Sequence, residues 1–276
     1  MILIADSGST KTDWCLEDRG KIIFRTNTQG INPFHQDLDE INQILIGELL
    51  PSLGETDIAQ VAFYGSGCRA EKIESMRDIL SEVFPQSAIE INSDLLAAAR
   101  SICCHDKGIA CILGTGSNSC LYDGEKVVEN TPPLGYILGD EGSGAVLGKL
   151  FINALYKHEL PESLTEEFTE EMRMTLADII YRVYCQPLAN RYLASLSPFI
   201  HKHLDNERVS KLVINNFKSF FRHDIAHYGH QEWKVGAIGS VAFFYREQLM
   251  EAAKAEGYEL QTVMKSPMDG LVKFHK

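Results

Sequence analysis

The chain contains one pattern twice: an apolar run, a turn rich in glycine and hydroxyl side chains, and a hairpin. The first copy consists of apolar residues 2–5, the polar run DSGSTKTD at 6–13, and hairpin strands at 11–18 and 21–27. The second consists of apolar residues 108–113, the run GTGSN at 114–118, and hairpin strands at 119–123 and 126–130. Because each apolar run has the length of a buried strand, the repeat predicts two related α/β halves.

The two turns have the composition of phosphate-binding loops. Glycine lets the backbone approach an anion closely, so several N–H groups can converge on one phosphate, and hydroxyls add further donors. Asp6 is a poor direct ligand for phosphate but can hold Mg²⁺ through water. The residues predicted to bind the phosphates of ATP are Gly8, Ser9, Thr10, Lys11, Thr12, Gly114, Thr115, Gly116 and Ser117.

Two other nucleotide-binding motifs do not fit these residues. A P-loop needs a glycine directly before its lysine, whereas Lys11 follows Thr10. A dinucleotide-binding fingerprint needs a helix after the glycine turn, whereas Gly8 leads into a second strand. A plain hairpin turn is the remaining alternative for the first turn taken alone.

Hydrophobic periodicity outlines the rest of the chain. Helices are predicted at 37–50, ending before Pro51, and at 70–84, 95–101, 142–157, most of 165–225 and 241–255. Further strands are predicted at 59–64, 87–92, 235–240 and 258–264. We therefore expect an N-terminal domain at 1–106 and a C-terminal domain at 107–276 that carries a helical insertion.

Composition limits the partners and the setting. A net charge of −12 over 276 residues disfavours a nucleic-acid footprint or an anionic membrane surface. We find no signal peptide and no apolar run of membrane-spanning length. Seven cysteines, an odd number, without a Cys-x-x-Cys motif indicate reduced thiols and a cytoplasmic location. A homodimer is left open.

Three motifs in order resemble those of the sugar kinase, heat-shock protein 70 and actin superfamily. DSGSTKT resembles its first phosphate motif, LGTGS at 113–117 its second, and VGAIGSV at 235–241 its adenosine motif, which implies that Gly239 and Ser240 lie near the adenosine. Within the superfamily, GTGSN followed by LGDEGSG at 138–144 resembles the N-acetylglucosamine kinase branch and the BadF/BadG/BcrA/BcrD ATPase group. The resemblance implies two ribonuclease-H-like (actin-like ATPase) domains with ATP, Mg²⁺ and substrate in an interdomain cleft.

The resemblance also implies an acceptor site. Asp94 follows a strand end and precedes an alanine-rich helix, like the sugar kinases' catalytic aspartate, although a helix N-cap is the alternative. Asp140 corresponds to an aspartate that binds sugar hydroxyls, and Asn32 lies in a segment resembling the family's asparagine-bearing sugar loop. Two turns supply the other candidates for substrate binding, which are Ser66, Gly67 and Thr115.

The predicted function is ATP-dependent phosphorylation of a sugar hydroxyl, with an amino sugar such as N-acetylglucosamine as the leading substrate. Leu134 stands where mammalian-type N-acetylglucosamine kinases have tryptophan, which leaves the sugar open. The alternatives are an iron–sulfur ATPase activator of a 2-hydroxyacyl-CoA dehydratase, and a nucleotide- or sugar-binding sensor without turnover. The motif His223, His227 and His230 is interpreted as a solvated helix end rather than a metal site.

Overall fold

Two five-stranded mixed sheets organise the chain. The computed structural model describes residues 1–8, 10–54 and 56–276, and Ser9, a predicted phosphate ligand, lies outside the described residues. The strands are β1 (Ile2–Ser7), β2 (Lys11–Asp18), β3 (Lys21–Gln29), β4 (Gln60–Gly65), β5 (Ala88–Ser93), β6 (Gly108–Leu113), β7 (Ser117–Tyr122), β8 (Val127–Asn130), β9 (Val235–Ile238) and β10 (Leu260–Met264).

The two sheets have the same topology. Their strand orders are β3-β2-β1-β4-β5 and β8-β7-β6-β9-β10. In each, the first three strands of the chain form an antiparallel meander, and the fourth and fifth add in parallel to the first. The repeated strand order confirms the predicted α/β class and the two related halves.

Helices follow strands β3, β4, β5, β8, β9 and β10 in the chain. They are α1 (Leu38–Ile44), α2 (Leu50–Leu53), α3 (Ala70–Val83), α4 (Asp94–Cys103), α5 (Gly135–Leu138), α6 (Gly144–Tyr156), α7 (Glu162–Met172), α8 (Leu176–Tyr184), α9 (Ala189–Ala194), α10 (Ser197–Lys202), α11 (Glu207–Phe220), α12 (Ser240–Phe244), α13 (Arg246–Ala255) and α14 (Met268–Phe274). A π-helical turn, Leu45–Leu49, joins α1 to α2, and a second one, Phe221–Ile225, extends α11. No helix among the described residues is long and apolar enough to cross a membrane.

The helix expected to end before Pro51 continues past it. The Leu50 N–H bonds to the Leu45 carbonyl, five residues back, and Pro51 occupies the first turn of α2. Proline has no N–H to donate, and it is tolerated in the first turn of a helix, where its fixed φ already suits helical backbone. The chain therefore remains helical to Leu53.

The chain divides into two compact units. The first comprises Met1–Asp106, Gly124–Lys126 and Ser266–Lys276, and the second comprises Lys107–Asp123 and Val127–Lys265. The C-terminal segment thus differs from the predicted division, which placed it in the second domain. The reason is packing: α14 lies on α4, and a Cβ at Gly270 would come within 2.3 Å of the Ser101 carbonyl oxygen.

Each unit has its own apolar interior. In the first, β1 is covered on one face by α1 and α3 and on the other by α4 and α14. In the second, a larger core surrounds Phe151, Phe168, Phe199 and Phe217, which are fully buried or nearly so. In each unit, most of the predicted site residues lie at or just beyond the carboxyl ends of the strands that cover the core.

Candidate active site

The first turn projects from the tight hairpin between β1 and β2. Ser7 pairs with Thr12, and the Gly8 N–H donates to the Lys11 carbonyl at 3.0 Å. Gly8, Thr10 and Lys11 are exposed, as ligand-binding groups must be. A Cβ at Gly8 would come no nearer than 3.8 Å to any other atom, so the space beside the turn is open.

Thr12 points away from that open space. Its side chain is fully buried, and its Oγ1 lies 2.6 Å from Ser7 Oγ. Both hydroxyls accept from the Ile31 N–H, and Ser7 also donates to the Ile31 carbonyl at 2.8 Å. This geometry favours a role for Thr12 in fixing the turn against the segment that follows β3, rather than in contacting a ligand.

Two carboxylates of the first unit, Asp13 and Asp94, lie within electrostatic reach of a third, Asp6. Burial raises the pKa of Asp6 to about 7, and the charges of Asp13 and Asp94 raise it further, while Lys11 lowers it. Asp13 is the cross-strand partner of Asp6, and its carboxylate accepts from Lys11 Nζ at 2.8 Å. Like charges directly opposite in a sheet are destabilising, so the arrangement suits a bound cation.

Sequence reasoning missed Asp13. A signal for it was present, because antiparallel strands that pair Ser7 with Thr12 also pair Asp6 with Asp13.

Asp94 is not the N-cap of its helix. Ser93 caps α4, since its hydroxyl accepts from the Leu96 N–H at 3.2 Å. The Asp94 carboxylate accepts from the adjacent Leu95 N–H at 2.9 Å, and burial raises its pKa above the usual range. The capping alternative therefore applies to Ser93, and Asp94 keeps a half-buried carboxylate at the strand end.

The strand register brings the other residues predicted in this unit to the same edge. Ser7 pairs with Gly65, and Gly65 pairs with Ser93, so the carboxyl ends of β1, β4 and β5 are level. Just beyond them, Asn32 Nδ2 lies 3.5 Å from Ser66 Oγ. Gly67 adopts φ +84°, and a Cβ there would come 2.1 Å from Asn32 Oδ1. Asn32, Ser66 and Gly67 thus form one contact group.

The second turn is held by its own backbone and by the start of α6. The Gly114 N–H donates to the Gly116 carbonyl at 2.9 Å. The Gly144 and Ala145 N–H groups donate to the carbonyls of Gly114 and Thr115 at 2.8 and 3.1 Å. Because these carbonyls are occupied, the turn has a fixed shape.

Two groups in the second turn are suited to a ligand. Thr115 is exposed at its apex, and a Cβ at Gly114 would meet nothing within 4 Å. Ser117 is 7% exposed, and its hydroxyl is buried without a hydrogen-bond partner. Such a hydroxyl is costly unless a ligand satisfies it.

The predicted adenosine turn adjoins this turn. Gly239, at φ +118°, donates its N–H to the Met264 carbonyl at 3.0 Å. A Cβ at Gly239 would come 2.2 Å from the Leu113 carbonyl oxygen, so only glycine fits. Ser240 begins α12 and is exposed.

Asp140 lies beside the second turn. It adopts a left-handed conformation (φ 58°), and its Oδ1 accepts from the Gly135 N–H at 3.1 Å. Its Oδ2 would be 2.9 Å from a Cβ on Gly116, so the absence of a side chain there makes room for the carboxylate. Burial raises the pKa of Asp140, and the neighbouring Glu141 adds to the shift.

Sequence reasoning also missed a group of charges around Asp140. Burial raises the pKa of Asp224 to about 7, with Glu141 and Asp140 adding and His223 opposing. His223 Nδ1 lies 3.2 Å from Glu141 Oε1. No sequence signal was available for this group, because more than 80 residues separate its two halves.

The three histidines 223, 227 and 230 do not converge. Their ring nitrogens lie near three different carboxylates, those of Glu141, Glu129 and Glu232. Across the ranges 1–8, 10–54 and 56–276, no group of three or more potential metal ligands was found.

Solved structures resemble the chain along its whole length. A candidate N-acetylglucosamine kinase from Porphyromonas gingivalis is 50% identical with a TM-score of 0.95, and the match covers 100% of this chain and 98% of that one. A candidate N-acetylglucosamine kinase from Chromobacterium violaceum is 17% identical with a TM-score of 0.71, over 100% and 98% of the two chains.

A third structure shares the fold alone. The ROK hexokinase from Thermus thermophilus is 14% identical with a TM-score of 0.55, over 99% of this chain and 96% of that one. No family model and no curated protein matches the sequence.

Proposed function

This chain belongs to the N-acetylglucosamine kinase-like family within the sugar kinase, heat-shock protein 70 and actin superfamily, and from that premise we propose that it is an ATP-dependent sugar kinase. The observation that carries the proposal is the edge of the first sheet, where Asp6 and Asp94 interact electrostatically near the ends of neighbouring parallel strands. A kinase acting on an alcohol needs one carboxylate for the metal and one for the attacking hydroxyl.

The residues present suit Mg²⁺ and ATP. Asp6 would hold Mg²⁺ through water, and the cation would offset the repulsion among Asp6, Asp13 and Asp94. When bound, Mg²⁺ neutralises charge that develops on the transferred phosphoryl group. Gly8, Thr10 and Lys11 of the first unit, and Gly114, Thr115, Gly116 and Ser117 of the second, would hold the phosphates. The partnerless Ser117 hydroxyl supports this assignment.

The remaining described residues predicted to bind ATP are Gly239, Ser240 and Thr12. Gly239 and Ser240 would lie at the adenosine, because the close approach of Gly239 to Leu113 holds this turn against the phosphate turn. Thr12 would organise the first turn from inside through its bond to Ser7.

Asp94 would accept the proton of the sugar hydroxyl. Its raised pKa moves it towards the range of a general base, and Ser93 leaves it free of the capping role. Asn32, Ser66 and Gly67 would orient the sugar from the first unit, and Asp140 and Thr115 from the second.

We propose an amino sugar as the substrate, with N-acetylglucosamine first. The support is the name of the 50% identical relative from P. gingivalis. We also propose that the protein is cytoplasmic.

The test is ADP release by the purified protein with Mg-ATP and a panel of sugars. The panel contains N-acetylglucosamine, N-acetylmannosamine, glucosamine, glucose and N-acetylmuramic acid. We expect release that depends on both Mg²⁺ and an N-acetylhexosamine. Sugar-independent hydrolysis, or ATP binding without turnover, would contradict the kinase assignment and favour the activator or the sensor.

Iron content tests the activator separately. An iron–sulfur cluster needs thiolates from several cysteines, and Cys111 in β6 is 1% exposed within the core. We expect a colourless protein without iron, and a brown protein that contains iron would revive the activator.

A further inference from the structure

Four side chains from distant parts of the chain meet inside the first unit. Arg100 of α4 donates through Nη1 to Glu90 Oε1 on β5 at 2.6 Å and to the Tyr64 hydroxyl on β4 at 2.7 Å. His275, just after α14, has its Nε2 2.8 Å from the same hydroxyl, which belongs to a fully buried side chain. We call this group of Tyr64, Glu90, Arg100 and His275 the clamp.

Stability alone does not account for the clamp. The Arg100 guanidinium lies 4.6 Å from the centre of the Phe274 ring, and its Nε is buried without a hydrogen-bond partner. A buried donor without a partner costs free energy. The ion pair with Glu90 is partly buried, and such a pair is weak evidence for stability.

The clamp closes on the segment that carries Asp94. This residue begins α4 directly after β5, and so lies in the chain between the two members of the Glu90–Arg100 ion pair. The ion pair therefore ties the helix back onto the strand and fixes how α4 leaves the turn. Because a displacement of about 1 Å can lower a rate about 10²-fold, fixing α4 matters for any reacting group at its start.

The clamp requires a neutral histidine. A guanidinium only donates, so the Tyr64 oxygen accepts from Arg100 and its own proton is directed to His275 Nε2. That nitrogen accepts only in the neutral imidazole, because both nitrogens of the imidazolium are donors. The charge of an imidazolium would also lie one hydroxyl away from the guanidinium.

We infer that the clamp positions the proposed general base, and that it holds α4 and Asp94 in place only while His275 is neutral. The inference rests on the proposed function, in which Asp94 accepts the proton of the sugar hydroxyl. His275 is then a positioning residue that acts through Tyr64 and Arg100. The return of the C-terminal segment to the first unit supplies the acceptor that completes the clamp.

The direction of the pH dependence follows from the groups that face His275. They are Tyr64 on β4, Glu90 on β5 and Arg100 on α4, and His105 contacts the ring beside it in α14. Burial lowers the pKa of His275, while Glu90 opposes this shift and Arg100 adds to it. Since the folded pKa lies below the unfolded one, the stabilising contribution is full above about pH 6.5 and is lost as the pH falls through the folded pKa.

The first experiment compares steady-state ADP release by His275→Leu, His275→Gln and the control Lys273→Gln. Leucine offers no acceptor, so kcat should fall about tenfold or more while the KM values for ATP and sugar change little. Glutamine offers an amide oxygen to the Tyr64 hydroxyl and should restore most of kcat. Lys273 is exposed on α14, and its variant should match wild type. Wild-type kcat in His275→Leu overturns the inference.

The second experiment repeats the assays across pH. Glutamine does not titrate, so the ratio of kcat in His275→Gln to kcat in wild type should rise as the pH falls from about 7 to about 5. Titration of Asp94 is common to both proteins and cancels in this ratio. A ratio that stays constant overturns the inference.

The third experiment follows the clamp without enzymatic activity, by amide hydrogen exchange in α4. Proteins are compared at the same pH, so that intrinsic exchange rates cancel. Exchange should be faster in His275→Leu than in His275→Gln, and wild type should approach His275→Leu as the pH falls. Equal exchange in the two variants overturns the inference. If His275→Leu does not fold, the pH series of wild type and His275→Gln decides the same question.

The exchange data also separate this inference from the proposed function. A chain whose α4 responds to His275 as expected, but which phosphorylates no sugar, contradicts the kinase assignment and not the clamp. A chain that phosphorylates sugar normally while His275→Leu loosens α4 contradicts the positioning role of the clamp and not the kinase assignment.

Discussion

The two glycine- and hydroxyl-rich turns share their place in the sheet but are fixed by different means. The turn after β1 has a backbone bond from Gly8 to Lys11, but side chains hold it to the segment after β3, through the buried contact of Ser7 and Thr12 with Ile31. It carries charge at Asp6 and Lys11. The turn after β6 is held by backbone, through the amides that start α6. The second turn contributes shape and uncharged donors.

The difference indicates a division of work within the proposed kinase. In that proposal, the first unit would supply the carboxylates for metal and proton chemistry, and the second would supply a rigid cradle and the Asp140 carboxylate for the sugar. Changes at the carboxylates of the first unit should therefore lower the rate, and changes at the second turn and at Asp140 should weaken substrate binding.

The largest effect is expected from Asp94→Asn. Removing the base should lower kcat by about 10²–10⁴-fold, because the sugar hydroxyl loses its proton acceptor, while ATP binding persists. Steady-state ADP release and nucleotide titration measure the two quantities. Asp78→Asn, an exposed change on α3 of the same unit, is the control and should leave both unchanged. Normal turnover by Asp94→Asn would show that Asp94 is not the general base.

Asp224→Asn tests whether the buried Asp224 carboxylate of the second unit lowers stability without contributing to catalysis. The folded pKa of about 7 exceeds the unfolded value, so the stabilising contribution of Asp224 is full below about pH 4 and is lost as the pH rises through 7. Asparagine cannot ionise. The full shift corresponds to about 4 kcal/mol, but solvent reaches part of this carboxylate and screens its charge. The variant should therefore be more stable than wild type by roughly 2–3 kcal/mol at pH 8, with the gain vanishing towards pH 4.

Denaturant unfolding at several pH values measures this gain. Asp205→Asn, exposed in the same unit, is the control and should give no gain. We expect kcat to be retained in Asp224→Asn. A large loss of kcat would mean that a carboxylate of the second unit, Asp224, also takes part in catalysis.

Gly116→Ala tests the cradle itself. The new Cβ would come 2.9 Å from Asp140 Oδ2, the far end of a flexible side chain, so the fold should persist while the carboxylate moves. The sugar KM should rise about tenfold, as expected for a weakened hydrogen bond to a charged group. Gly114→Ala, with no atom within 4 Å of its Cβ, is the matched control and should leave the sugar KM unchanged while raising that of ATP.

Local patterns in the sequence were enough to predict what lies within one turn or one strand end. The repeated strand order follows from two similar runs of residues. Asp94 was singled out because the strand and helix beside it resemble a segment of the sugar kinases, and its role stays a prediction. Alternation along β2 also contained the inward direction of Thr12, which shares a face with the buried Trp14. The composition of the turn predicts a phosphate contact for Thr12, whereas the alternation along β2 predicts that Thr12 is buried.

Long-range packing could not be predicted in this way. The approach of Asp224 to Glu141, and the return of α14 to the first unit, depend on tertiary contacts between segments that carry no matching signal. The π-helical turn at Leu45–Leu49 is similar, because hydrophobic spacing does not distinguish it from an ordinary helix that ends before Pro51.

The smallest effect is expected from a pair of hydroxyl deletions in the first turn. Thr12→Val keeps the shape of a buried side chain and removes its contact with Ser7, so it should lower the free energy of unfolding by about 1 kcal/mol with little change in the KM for ATP. Thr10→Val, exposed two residues away, should do the reverse and raise the KM without loss of stability. Denaturant unfolding and ATP kinetics on both variants separate the roles. A raised KM in Thr12→Val alone would show that the buried hydroxyl turns outward to ATP, and the first turn would then use its side chains for binding rather than for support.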